Sequence, residues 1–342
     1  MLAGYKMGIA DVNAAGGING KKLVLDVKDD KFDPSLAANV VKQLITQDHV
    51  SAILGTFGSA AGLTTSAVAE QYRVPIVHTF VSDPQVVSQG YKYTFNLFHL
   101  ASQVEPVTDQ FIATQPDLKT VGIVHLNLGW AEAGASSSTK ALEASGRKVV
   151  SDVAVPTGQS DYTSALSKIR AANPDVIKLI AYDGDIATMI KQVKQLQLSP
   201  KMLYIEGDPT VNPVVTEALG AGVKGLTGTP NWFPGDTAFP QANKVADRYK
   251  SQSGNPPSTE VVKGYQGVQV LAAALKAAGS TDGSAIRDAL SSLQVTTDLG
   301  PVKFESDGQA DSPVTVAQYQ SPTKLVTLWP QALANAKYTP FS

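Results

Sequence analysis

Apolar and polar positions along the chain alternate between two periods. The opening stretch LAGYKMGIADVNAAGG sets Leu2, Tyr5, Met7, Ile9 and Val12 on a broad helical stripe, and Gly16-Gly17 predicts its end. Asn19-Gly20 is a tight-turn signal leading into an alternating segment, Lys22 to Val27, which reads as a strand. Asp33-Pro34 is an N-cap followed by proline at the first helical position, and it predicts a helix over Ser35 to Thr46.

The same rhythm then repeats. Strands are predicted at Ser51 to Gly55 and in VPIVH, VGIVHL, RKVVSDVAV, DVIKLIAY and KMLYI. Helices are predicted between Ala60 and Tyr72 and near 103–115, 131–145, 161–171, 184–196 and 212–219. Strands alternating with helices of this length imply α/β architecture with parallel sheets covered on both faces. After Gly228 the pattern changes to helices at Pro240 to Ser251, Glu260 to Ala278 and Gly283 to Ser292. Short β segments follow around Val302, Val314 and Leu325. Two parallel-sheet halves that exchange late elements predict a chain crossing between lobes more than once.

Length agrees with two lobes, because 342 residues exceed the usual size of one hydrophobic core. A hydrophobic content of 43% with 17% charged residues fits packed layers rather than a disordered chain. The formal net charge of −2, without a basic cluster, speaks against nucleic acid as a partner. With no cysteine, disulfides, thiolate metal sites and cysteine nucleophiles are excluded. No apolar run of membrane-spanning length and no export signal is seen, so any signal is expected to lie outside this sequence.

Open parallel sheets bind ligands at the carboxyl ends of their strands. That singles out the loops Thr56 to Gly62, Thr79 to Pro84, Asn127 to Ala131, Tyr182 to Asp185 and Glu206 to Thr210. The loop GTFGSAAG lacks the lysine of a phosphate-binding P-loop. Ser59 at a helix start suits a ligand carboxylate, and it suits a plain N-cap as well. Glu206 could pair with an ammonium or be an ordinary loop glutamate. Trp130 and Tyr182 could be core plugs or walls that stack on a ligand. His49, His78, His99 and His125 are isolated, which argues against zinc. The run Asp26, Asp29, Asp30 and Asp33 lacks EF-hand spacing and reads as a solvated strand end and N-cap. No hydrolase nucleophile elbow is present, so neither an enzyme nor a cofactor is expected.

Taken in order, NAAGGINGKKLVLDVKDDKFDP, AILGTFGSAAG, RVPIVHTFVSDP, GYKYTF, VGIVHLNLGW, YDGD, YIEGD and LGPVKFESDGQ resemble the branched-chain amino-acid-binding proteins of bacterial ABC importers. The resemblance covers nearly the whole chain. It implies a type I periplasmic-binding-protein fold: two doubly wound parallel-sheet lobes joined by a multi-crossover hinge, with lobe 1 at residues 1–100 and 228–314 and lobe 2 at 101–227 and 315–342. Family members begin with a strand and loop before the first helix; this chain starts inside that helix, and the first strand is expected to be missing, leaving unpaired edges.

The resemblance further implies a carboxylate shelf of Ser59 and Ser82 with backbone groups near Phe57, Gly58, Phe80 and Val81. Trp130, Tyr182 and Glu206 would close it, Glu206 taking the ligand ammonium. An arginine that the family carries after the GYKY-like strand is Asn96 here. Phe57, Phe80 and Trp130 make the expected pocket more aromatic than a leucine site needs. The implied function is a monomeric periplasmic or extracellular receptor, free or lipoprotein-tethered, that closes on an apolar or branched-chain amino acid and delivers it to the membrane subunits of an ABC importer. An aromatic carboxylic acid is the alternative ligand, and a small-molecule sensor is a third reading.

Overall fold

A computed structural model describes residues 1–341, and their contacts divide the chain into two compact units. The first comprises Met1–His99 and Phe239–Pro313, the second Leu100–Ala238 and Val314–Ser342. The second crossing therefore falls after Ala238, not at 228. The reason is local: Thr227–Gly228 pairs with Tyr204 and Ile205, and beyond it Thr229 Oγ1 accepts from the Gly207 amide and the Asn231 amide donates to Asp208, which hold the segment to the second unit.

In the first unit, three parallel strands, Ile53–Phe57, Ile76–Phe80 and Thr94–Asn96, lie in that order. A small antiparallel sheet of Gln294–Thr297, Gly300–Phe304 and Ala310–Asp311 completes the unit, linked to the first by a bridge between Asn96 and Gln309. The opening helix, Leu2–Ala14, packs on Thr259–Ala278, and of its predicted apolar stripe Tyr5 alone is buried. Gly4, Tyr5 and Gly8 are its buried positions, whereas Leu2 is exposed. A Cβ on Gly4 would come within 2.0 Å of the Val261 carbonyl oxygen, so glycine is what permits the backbones to approach.

Local punctuation is as the sequence predicts. Gly16 and Gly17 both take positive φ after the helix, and Asn19 and Gly20 do so in the turn that follows. Asp33 Oδ1 accepts hydrogen bonds from the Ser35 and Leu36 amides, each at 2.8 Å, and so caps Pro34–Thr46. We expect Asp33→Ala to cost about 1 kcal/mol of stability, measurable by urea unfolding; an unchanged midpoint would deny the cap its role.

The predicted strand Lys22 to Val27 does not form. Leu23 is pinned instead to the opening helix, its amide donating to Asn13 Oδ1 at 2.7 Å and its carbonyl accepting from Asn13 Nδ2 at 2.9 Å. A strand exists by its ladder, and no described strand pairs with this segment; Val24 is 92% exposed. Likewise Ile53–Phe57 pairs, among the described strands, with Ile76–Phe80 alone and stands at the edge of its sheet.

The second unit holds a seven-stranded sheet in the order Lys324–Trp329, Val316–Ser321, Thr227–Gly228, Met202–Ile205, Val176–Ile180, Thr120–Leu126, Lys148–Val155. The last five are parallel neighbours, while Val316–Ser321 and Lys324–Trp329 add on antiparallel. Helices Ala101–Ala113, Gly129–Ala144, Thr163–Ala172 and Asp183–Gln195 fall within two residues of their predicted limits. The central strands are buried on both faces, as their apolar runs predict, with Lys178 the charged exception. No described helix is long and apolar enough to cross a membrane.

Candidate functional site

In the first unit the predicted shelf assembles at the ends of two neighbouring parallel strands. Gly58, with φ 94°, turns the chain from Phe57 into helix Ser59–Tyr72, a conformation that side-chain-bearing residues rarely adopt. Gly58 is the N-cap, so Ser59 is the first helical residue. Its hydroxyl oxygen accepts from the amides of Ser82 at 3.3 Å and Asp83 at 3.2 Å, tying the two loops together. Two accepted bonds use the oxygen's lone pairs and leave its hydrogen available for a carboxylate. Ser82 is half-buried, and Val81 is fully buried against Gly62, where a Cβ would meet a Val81 methyl at 2.5 Å.

An aromatic row borders this shelf. The Phe57 and Phe80 rings stack with centroids 5.4 Å apart, and Phe98 continues the row at 4.8 Å from Phe80. Phe57 is 41% exposed and Phe80 is buried. Phe98 was not among the predicted residues, because it lies beyond a strand end in a segment without local periodicity. Asn96, fully buried, donates its side-chain amide to the carbonyls of Val81 at 3.0 Å and Phe98 at 2.9 Å. It fastens the shelf to the row, a structural use for the position at which the resemblance led to an arginine.

In the second unit, Trp130 lies in the first turn of Gly129–Ala144 and Tyr182 caps Asp183–Gln195. Their rings are 5.4 Å apart and tilted by 42°. Trp130 is buried, and Tyr182 is half-buried. Glu206 follows the strand Met202–Ile205 and is 7% exposed. Gly207 after it takes φ 72°, and its amide donates to Thr229 Oγ1 at 3.0 Å, which fixes the turn carrying Glu206. The Glu206 carboxylate accepts no hydrogen bond from any described residue. Burial first, then the charges of Glu105 and Asp208, raise its pKa to about 8 against the opposing pull of Lys178.

Behind Glu206 lies a group that the sequence analysis did not single out. Lys178, in the middle of Val176–Ile180, is fully buried and donates to Asp109 Oδ1 at 2.7 Å and Ser138 Oγ at 2.7 Å. It also pairs with Glu105, whose other oxygen accepts from the Tyr204 hydroxyl at 3.0 Å. A lysine inside an apolar five-residue parallel strand was the available signal, since such a charge must find buried acids.

Two parallel-sheet units, threaded by three crossings of one chain and each presenting polar and aromatic side chains at strand ends, define the type I solute-receptor class. Comparison with known proteins agrees. The chain matches the periplasmic binding protein family over residues 1–324 and belongs to it. A leucine-, isoleucine-, valine-, threonine-, and alanine-binding protein of Pseudomonas aeruginosa is 27% identical over 307 residues, covering 90% of this chain and 81% of that one. The isoleucine complex of a branched-chain amino acid transporter substrate-binding protein from Streptococcus pneumoniae shares the fold with a TM-score of 0.85. Its identity is 21%, with 96% of this chain and 94% of that one covered. A solute-binding protein from R. palustris in complex with benzoate superposes with a TM-score of 0.83 at 20% identity, covering 96% and 89%. By family the chain is thus a periplasmic binding protein.

Proposed function

We propose that this receptor captures a small apolar or branched-chain α-amino acid outside the cytoplasm and presents it to the membrane subunits of an ABC importer. The observation that carries this reading is Glu206: a buried carboxylate without a hydrogen-bond donor among the described residues is an unmet demand for a cation, and a ligand ammonium answers it. The Ser59 hydroxyl and the amides at the start of Ser59–Tyr72 supply the complementary site for the α-carboxylate. Phe57 and Phe80 in the first unit, where Gly58, Val81 and Ser82 shape the shelf, and Trp130 and Tyr182 in the second are the apolar surfaces offered to the ligand side chain. A ligand that binds one conformation of the receptor better raises the population of that conformation, which is what an importer would recognise.

The aromatic row Phe57, Phe80 and Phe98 favours a second reading, an aromatic carboxylic acid stacked above the same shelf. The benzoate complex of the R. palustris relative supports keeping it. Thermal unfolding with L-leucine, L-phenylalanine or benzoate separates the two. A ligand at a hundred times its Kd adds about 2.7 kcal/mol to the native state and raises the midpoint. We expect the amino acids to raise it more than benzoate does; benzoate alone doing so would favour the second reading.

A further inference from the structure

The wall behind Glu206 holds more acid than base. Glu105 and Asp109 stand one turn apart on helix Ala101–Ala113, both completely or almost completely buried, and Lys178 is the cation between them. Asp109 Oδ1 and one Glu105 oxygen are taken by Lys178, and the Tyr204 hydroxyl takes the other Glu105 oxygen. Asp109 Oδ2 is buried with no hydrogen-bond partner. Glu206 adds a third buried carboxyl to this one ammonium, and Asp208 follows two residues later. The charges of Glu105 on the helix, Lys178 on the neighbouring strand and Asp208 in the turn after it act on Glu206, as Glu206 acts on Tyr204 of its own strand. Three carboxylates around one ammonium cannot all stay ionised away from water; something positive has to compensate.

We infer that in the unliganded receptor the compensating charge is a proton on Glu206, and that an arriving ligand ammonium displaces it, so that capture of an amino acid releases a proton to solvent. The step balances simply. The Glu206 O–H bond breaks, the proton passes to buffer, and the carboxylate accepts an N–H donor from the ligand ammonium. The position of the Glu206 titration, near 8, supports this order of events at neutral pH. The inference rests on the reading that Glu206 takes the ammonium, and it adds a consequence that reading does not contain. Affinity for an amino acid should rise with pH, approaching tenfold per unit below about 8 and levelling above it. A carboxylic acid without an ammonium should show no such rise, because its capture leaves the proton in place.

The test is calorimetric titration of the purified chain with L-leucine at pH 7, repeated in phosphate, imidazole and Tris, whose ionisation enthalpies differ. The slope of apparent enthalpy against ionisation enthalpy counts the protons released, and we expect nearly one. Glu206→Gln should abolish the release and weaken leucine. Glu105→Gln should reduce the release and move the pH dependence to lower values. The wild-type proton count needs neither variant, so a variant that fails to fold does not spare the inference. Leucine bound tightly with no proton released, and weakened by Glu206→Gln, overturns the proton coupling while leaving the ammonium assignment intact. Leucine bound equally well by Glu206→Gln overturns both, as does the absence of any amino-acid binding in a panel of leucine, isoleucine, valine and phenylalanine.

Discussion

Lys178→Met should lower the stability of the chain by about 3–5 kcal/mol, the usual cost of removing one partner from a buried ion pair. The lysine is fully buried, and its loss strands Glu105 and Asp109 in the same dry interior without their cation. Calorimetric melting at neutral pH measures the effect. The sign of its pH dependence is fixed by linkage. Burial and the neighbouring Glu105 already hold the Asp109 carboxyl above its ordinary range against the pull of Lys178, and without the lysine Asp109 would move further up. A carboxyl whose folded pKa lies above its unfolded value favours the native state below the unfolded value, near 4, and that contribution is lost as pH rises through the folded value. The variant should therefore recover part of its deficit between about pH 7 and 5 relative to the parent, provided both remain folded there. Combining Lys178→Met with Glu105→Gln and Asp109→Asn should restore much of the loss, because neutral groups impose a smaller burial cost. A single variant melting with the parent would mean that the cluster contributes nothing to stability.

Glu206→Gln should weaken amino-acid binding by about ten- to a hundredfold, the loss of one charge-assisted contact of about 1.5–3 kcal/mol in a dry site. Glutamine keeps the shape and removes the charge, so the change isolates the electrostatic part. Benzoate, which has no ammonium, should lose little. Isothermal titration of both ligands against parent and variant reads the contrast directly. Equal losses for the two would point to a distorted turn at Gly207, and no loss for the amino acid would end the ammonium assignment.

The features that sequence alone made legible are those whose cause is local. Asp33-Pro34 opens a helix because the capping bond spans three residues. Asn19-Gly20 turns because only such residues accept positive φ at little cost. The strand-end loops bearing Ser59, Ser82, Trp130, Tyr182 and Glu206 followed from counting strands and helices, since a parallel sheet puts its carboxyl ends on one side. Side-chain partnership was not legible. Phe98 joins the aromatic row only because Phe80 lies across from it on another segment. Asn96 reads as an ordinary strand residue until its amide is seen bridging Val81 and Phe98.

Lys22 to Val27 marks the boundary between the two kinds of knowledge. Its alternation is genuine, yet alternation states only which residues would share a face; a strand also needs a neighbour to hydrogen-bond with, and pairing is a property of the assembled sheet. The sequence by itself determined the α/β rhythm, the helix limits, the tight turns and the loops that carry the candidate site, because propensity, capping and hydrophobic periodicity act within a few residues. Only the tertiary structure decided that Thr227–Gly228 stays with the second unit, that Lys178 is buried between Glu105 and Asp109, and that Glu206 lies against that cluster. Glu105 and Lys178 are far apart in the chain, and the energy of a charge depends on how much water surrounds it and which charges stand near. Both are set by packing between elements, which no local pattern encodes.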